Sequence, residues 1–300
     1  MIMPNFLIIG AQKAGTTSLY HYLDQHPQIY MSPEKEPGFF DFEGEKINFC
    51  GPGDQDVYSH VSTNIEAYSR LFKDAANKIA IGEATTWYLY SQKAPECIKH
   101  YIPDVKLIVI LRNPVDRAYS SFMHAIRDSR EPLSDFTQAL LEEEVRIKNN
   151  WEYLWRYQDM GFYSVQLKRY FEKFDHSQIK IYLYEDLNTN PKELLRDIFR
   201  FLGVDETHIP EVFTRLNISG PRKNKTLDAF LRDKNPVKNF LKPFFPVGVR
   251  KRVANYLRTN NFVKSQCPLD VRRELIEVFR KDIFELQNLI QRDLSPWLEV

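Results

Sequence analysis

Apolar residues in the first two-thirds of the chain fall in short unbroken runs rather than in alternation. Residues 6–9 (Phe-Leu-Ile-Ile), 78–83, 106–111 (Lys-Leu-Ile-Val-Ile-Leu) and 179–184 read as strands covered on both faces, with 29–31 as a shorter one. Between them the apolar period lengthens to that of amphipathic helices. These are expected over 16–24, 65–72, 92–101, 115–127, 162–174 and 190–202, the last stopped by Gly203. Residues 133–148 read as a further helix, rich in Glu and Arg and solvated on one face, and an aromatic stretch follows at 151–157. Residues 32–41 and 43–62 carry Pro, Gly, Asp and Asn without apolar period and read as loop. Alternating strands and helices of this kind predict an α/β fold with a mainly parallel central sheet and flanking helices. The character changes near residue 217. A basic loop at 217–225 precedes a Lys/Arg-rich segment, 232–264, in which Asp233 is the only acid and Phe240, Leu241, Phe244 and Phe245 are interleaved. A long amphipathic helix is expected over 269–289, and Trp297 lies near the end.

The chemistry concentrates at the end of the first strand. Gly10 and Gly15 bracket a turn that opens into a helix at Thr16. A strand, a glycine-bounded loop and a helix N-terminus together form an anion site, because backbone N–H groups converge there and the helix dipole favours negative charge. Lys13 and the hydroxyls of Thr16, Thr17 and Ser18 add donors. The glycine spacing fits the nucleotide P-loop pattern, but Thr16 stands where its lysine belongs, and the lysine is inside the loop at position 13. A P-loop nucleotide kinase would need that lysine and an acid after a strand to hold Mg²⁺. Here the clearest strand ends instead in Arg112. Ligands of open parallel sheets bind beyond the carboxyl ends of the strands, so Arg112 and the Gly10-to-Gly15 loop belong on one rim. The alternative for Arg112 is an ordinary ion pair with Asp116.

Composition narrows the class. A chain of 300 residues with 43% hydrophobic and 14% aromatic content suffices for one large α/β domain or two small ones, and global disorder is not expected. A net charge of +1 argues against a nucleic-acid binder driven by whole-chain positive charge. Cys50, Cys97 and Cys267 lie far apart, with no CxxC or Cys/His metal spacing, which points to a reducing, cytoplasmic setting without structural zinc. No signal peptide precedes the first strand and no apolar run approaches ~18 residues, so no membrane span is expected.

Two stretches resemble the sulfotransferases that use 3′-phosphoadenosine-5′-phosphosulfate (PAPS), in particular the branch with the heparan sulfate sulfotransferases and related bacterial enzymes. Residues 6–18 are similar to the family's 5′-phosphosulfate loop, whose lysine lies inside the loop. Leu111-Arg-Asn-Pro-Val-Asp-Arg-Ala-Tyr-Ser-Ser121 is similar to its 3′-phosphate motif. The likeness covers most of residues 5–225. It implies a P-loop-like sulfotransferase fold in a single domain over 1–300, with 5–225 as cofactor-binding and catalytic core and 226–300 as a helical C-terminal part. It also implies that Lys13, Ala14, Gly15, Thr16, Thr17 and Ser18 meet the 5′-phosphosulfate and that Arg112 and Ser120 meet the 3′-phosphate. Arg222 and Lys223 would close over the nucleotide. PAPS would be the co-substrate and 3′-phosphoadenosine-5′-phosphate (PAP) the product, with no metal. The residues suit that ligand, whose two anionic ends need two separate anion sites.

Within the resemblance, Glu36-Pro37-Gly38-Phe39-Phe40 matches the stretch whose glutamate serves as general base, with Lys13 stabilising charge on the leaving oxygen. A solvated Glu36 paired with Lys35 is the alternative. The family's usual basic or aromatic residue at position 38 is replaced by glycine. Glu83, ending a strand, and His124, one helical turn after Ser120, are the other base candidates. The implied reaction is in-line sulfuryl transfer to a hydroxyl or amine of a small molecule, lipid or saccharide. A non-catalytic PAP- or sulfated-ligand-binding protein of the same fold is the other class. The basic 232–264 segment is expected either to border the acceptor cleft or to form a solvated face.

Overall fold

The run at residues 6–9 becomes the middle strand of a five-stranded parallel sheet. The computed structural model describes residues 1–211 and 266–300. The strands are β1 (Phe6–Gly10), β2 (Ile29–Met31), β3 (Ala80–Ala84), β4 (Lys106–Leu111) and β5 (Ile179–Leu183), in the order β2-β3-β1-β4-β5. Every pairing is parallel. All five residues of β1 are buried, and β4 is buried from Leu107 onward, as expected of strands with helices on both faces. The expected fold class is therefore the observed one. Among the described residues no helix is long and apolar enough to cross a membrane.

This order determines what can meet at the rim. Because β1 lies between β3 and β4, the loops leaving their carboxyl ends emerge side by side. The first helix, Thr16–Asp24, follows β1, and the Pro114–Arg127 helix follows β4. Asn113 caps the latter through its side-chain oxygen, which accepts the Val115 N–H at 2.9 Å, and Pro114 occupies the first turn, where no N–H is needed. The Leu269–Ile290 helix packs across the Tyr163–Phe171 and Pro114–Arg127 helices, burying Val271, Leu275, Phe279, Ile283 and Leu286 on one stripe.

Several elements differ from the sequence reading, among them the short helices Phe39–Phe42 and Asp54–Val57 in stretches read as loop. The single helix expected at 133–148 is two short ones, Phe136–Leu141 and Glu143–Lys148, and its charged face is not solvated throughout. Glu143 is buried, accepting the N–H groups of Gln158 and Asp159 at 2.7 and 2.8 Å. Arg146 is buried too, forked onto Glu131 with both bonds at 2.8 Å. These tertiary bonds outweigh the local helical period. A further difference is a short helix, Tyr184–Thr189, directly after β5. The basic loop at 217–225, with Arg222 and Lys223, and the 232–264 segment lie outside the described residues.

Candidate active site

The loop after β1 delivers Lys13 in the left-handed region, φ 69°, with Gly15 at φ 93°. Gly15 has a second reason to be glycine: a Cβ there would stand 2.9 Å from Leu187 Cδ2 and 3.1 Å from the Tyr184 ring. The backbone can thus approach a ligand closely at the mouth of the helix. Thr16 and Thr17 open that helix, whereas the Ser18 N–H already donates to the Gly15 carbonyl at 3.0 Å. Ala14 behaves differently from its neighbours, since its side chain is buried and its N–H donates to the Ala11 carbonyl at 3.1 Å. That bond removes the Ala14 amide from the anion-facing set in this conformation.

A cleft of about 540 Å³ opens over this loop. Its lining includes Gly15, Thr16, Thr17, Ser18, Arg112 and Ser120, together with Tyr184 from the helix after β5. Arg112 does not pair with Asp116, which is held by Arg272 at 2.7 Å. Instead its Nη1 donates to the Lys13 carbonyl at 3.0 Å, and its guanidinium lies 4.8 Å from the centre of the Tyr184 ring. The two anion loops are therefore tied to each other before any ligand arrives.

Lys13 lines the cleft as well. Its Nζ is 2.6 Å from His124 Nδ1, and His124 Nε2 is 3.1 Å from Asp128 Oδ2. Burial and the positive charges of Arg127 and Arg112 bring the Lys13 amine down to about 7. Burial and the neighbouring Lys13 bring His124 down to about 4, so its ring is neutral at physiological pH. A neutral imidazole that accepts from Lys13 at Nδ1 must carry its proton on Nε2, where it donates to Asp128. Although burial pushes upward, hydrogen bonds from His124 and Arg127 hold the Asp128 carboxyl well below the usual range. Both ring nitrogens of His124 are thus engaged.

Glu36 lines the same cleft, also left-handed at φ 61°. Its N–H donates to the Ala84 carbonyl at 2.9 Å, which fastens the 32–41 loop to the end of β3. Its Oε1 accepts from Thr86 Oγ1 at 2.8 Å and sits 3.5 Å from Lys35 Nζ. Lys35 in turn donates to Thr17 Oγ1 at 3.0 Å. The shorter bond is the one to Thr86, so Glu36 is more than the solvated partner of Lys35. Gly38, at φ 70°, explains the missing larger residue. A Cβ there would stand 2.9 Å from Val61 Cγ1 and 3.1 Å from Trp87 Cζ2.

Glu83 does not line the cleft. It is fully buried, and burial raises its carboxyl to about 8. Thr85 Oγ1 donates to it at 2.9 Å and accepts the Gly38 N–H at 3.3 Å, so Glu83 braces the Glu36 loop from beneath. Sequence reasoning missed Thr86, Trp87 and Tyr184, although all three follow the carboxyl ends of strands and could have been found by that rule. It also missed Tyr58, in a stretch read as loop, Glu152, in the aromatic stretch at 151–157, and Arg130, all of which line the same cleft. Glu152 accepts from Arg130 at 2.9 Å and from the Tyr58 hydroxyl at 3.2 Å. Among the described residues, no three His, Cys, Asp or Glu side chains gather as a metal site.

A parallel sheet whose rim carries two linked anion loops, with a buried lysine in one of them and a carboxylate lining the same cleft, suits transfer of a group from an anionic donor. The sequence profile of the sulfotransferase domain matches residues 3–260, and the chain belongs to that family. This membership sets the P-loop kinase reading aside. A sulfotransferase from Alicyclobacillus acidocaldarius, known from its crystal structure, shares 34% identity at a TM-score of 0.78, and the likeness covers 100% of both chains. A bifunctional heparan sulfate N-deacetylase/N-sulfotransferase 4 from Mus musculus is 30% identical over 207 residues, 67% of this chain and 22% of its own length. A carbohydrate sulfotransferase 15 from Homo sapiens is 26% identical over 246 residues, 67% of this chain and 44% of its own length. The chain thus spans less than half the length of these two curated relatives.

Proposed function

We propose that the protein transfers a sulfuryl group from PAPS to a hydroxyl or amine of a saccharide-type acceptor. The observation that carries the reading is that one cleft is lined by the linked Lys13 and Arg112 anion loops and by Glu36, which Lys35 joins to Thr17 of the first loop. Arg112 and Ser120 would take the 3′-phosphate, and the 15–18 turn the 5′ end. The acceptor oxygen or nitrogen attacks sulfur as the bond from sulfur to the 5′-phosphate oxygen breaks, and PAP leaves with that electron pair. Glu36 takes the acceptor's proton, and Lys13 stabilises the charge growing on the departing oxygen. His124, with both nitrogens engaged, serves by aiming Lys13 rather than as the base. The Tyr58 and Trp87 rings, 5.3 Å apart, with Arg130 and Glu152 beside them, suit a ring bearing several hydroxyls. The names of the relatives support the same acceptor class.

The test is transfer of labelled sulfur from PAPS across a panel of saccharide, lipid and small hydroxylated acceptors, with Glu36→Gln alongside. A loss of about a hundredfold or more in turnover is expected for Glu36→Gln, with PAP affinity held. Normal turnover in that variant would remove Glu36 as base. Tight PAP binding without turnover on any acceptor would favour the non-catalytic binder.

A further inference from the structure

Lys35 touches both of the loops that the proposed transfer needs. Its Nζ donates to Thr17 Oγ1, on the 5′ turn, at 3.0 Å and lies 3.5 Å from Glu36 Oε1. These two contacts do not use it fully. An ammonium has three N–H donors, and the Glu36 contact is at the limit of a hydrogen bond, while Glu36 takes its shorter bond from Thr86 at 2.8 Å. The Lys35 side chain lines the cleft and is 28% exposed, so a ligand can reach it. Burial, Arg127 and Arg112 hold the Lys13 amine below its usual pKa, and the charge of Lys35 adds to them. Positive charges crowded in this way are relieved by an anion placed among them.

We propose that Lys35 binds the sulfuryl group of the donor, exchanging its contact with Glu36 for one with a sulfuryl oxygen. This role rests on the sulfuryl-transfer reading and extends it to the oxygens of the group that moves. In an in-line displacement the attacking atom, the sulfur and the departing oxygen lie near one line, and the three sulfuryl oxygens stand around its midpoint. Glu36 must reach the attacking atom to take its proton, and the turn with Thr17 meets the 5′ end that departs. A cation in contact with both is beside the oxygens in between. The exchange also releases Glu36 from a cation as the donor arrives, leaving it the bond from Thr86. The bond from sulfur to the 5′-phosphate oxygen breaks with its electron pair going to PAP, the bond from the acceptor to sulfur forms, and the acceptor's proton goes to Glu36. Lys35 keeps its own protons throughout.

PAP carries both phosphates of the donor and lacks only the sulfuryl group, so comparing the two ligands isolates this contact. The measurement is displacement of labelled PAP from the full chain by PAP and by PAPS, without acceptor. Lys35→Met keeps the length of the side chain and removes its charge. It is expected to weaken PAPS about tenfold and to leave PAP within about twofold of the parent, which also shows that the variant is folded. Arg112→Ala should weaken both ligands together. Equal PAPS affinity in parent and Lys35→Met, or an equal loss for PAP and PAPS, would overturn the assignment. So would a PAPS loss that vanishes in the Lys35→Met/Glu36→Gln double variant, since Lys35 would then act only by shielding the donor from Glu36. Failure of the parent chain to bind PAP at all would instead refute the transfer reading on which this role rests.

Discussion

Lys13 offers a sharp test of the site, because it titrates in a range where few other groups do. With no anion beside it, burial and the guanidiniums of Arg127 and Arg112 hold its pKa at about 7. A bound phosphate places negative charge within reach and restores the ammonium. Binding of PAP therefore raises the pKa of Lys13 and takes up a proton at any pH above its free value. At pH 8 a group of pKa about 7 is about nine-tenths neutral, so uptake approaches about 0.9 proton, against about 0.1 at pH 6. Affinity then falls as pH rises above 7, with the slope of log Kd approaching one. His124, at about 4, contributes nothing in this window. The phosphates of PAP also titrate, near pH 6, but they do so equally in Lys13→Ala and drop out of the difference. Calorimetry in buffers of different ionisation enthalpy, at pH 6 and 8, measures the uptake. The same uptake in parent and Lys13→Ala at pH 8 would refute the placement of Lys13 beside the bound anion.

Two further changes have outcomes worked from the contacts. Arg112→Ala removes a charged fork from the proposed 3′-phosphate site, which should weaken PAP about tenfold to a hundredfold and erode preference over adenosine-5′-phosphosulfate equally. Direct calorimetry giving parent-like PAP affinity would take Arg112 out of that site. Glu131→Gln leaves the buried Arg146 guanidinium without its carboxylate, and a loss of about 3–5 kcal/mol is expected in denaturant unfolding. A loss below about 1 kcal/mol would mean that the aromatic faces of Trp151 and Trp155, at 5.1 and 5.3 Å, hold Arg146 without it.

What was legible in the chain was what depends on neighbours in sequence. The unbroken apolar runs became β1, β3, β4 and β5 to within two residues at each end; β1 and all but the first residue of β4 are buried, whereas the edge strand β5 leaves Lys180 and Ile181 half-buried. The Gly10-to-Gly15 turn and Arg112 were legible because the strand's carboxyl end is itself a positional rule. Pairs formed by folding were not legible. Lys13 and His124 are 111 residues apart, and Glu36 and Thr86 are 50 apart. The break near Glu142 was hidden for the same reason, since Glu143 is drawn to amides that lie 15 and 16 residues away. Helical periodicity carries no information about such a partner.

The backbone adds one consideration about where this fold accepts strain. Lys13 and Glu36 are non-glycine residues in the left-handed region, a conformation that costs roughly 1–2 kcal/mol for a side chain with a Cβ. Each is held there by a bond to the sheet rim: the Lys13 carbonyl accepts from Arg112, and the Glu36 N–H donates to Ala84. Those anchors belong to β4 and β3, the two strands that flank β1. The residues proposed to stabilise the leaving group and to take the proton are therefore strained by their loops and restrained by the same sheet. A loop free to relax would lower its own energy by turning either side chain away. Ser129, Asn150 and Gln291 share the positive φ, so what argues for a positioning role is that rim bonds hold both Lys13 and Glu36 in the lining of one cleft.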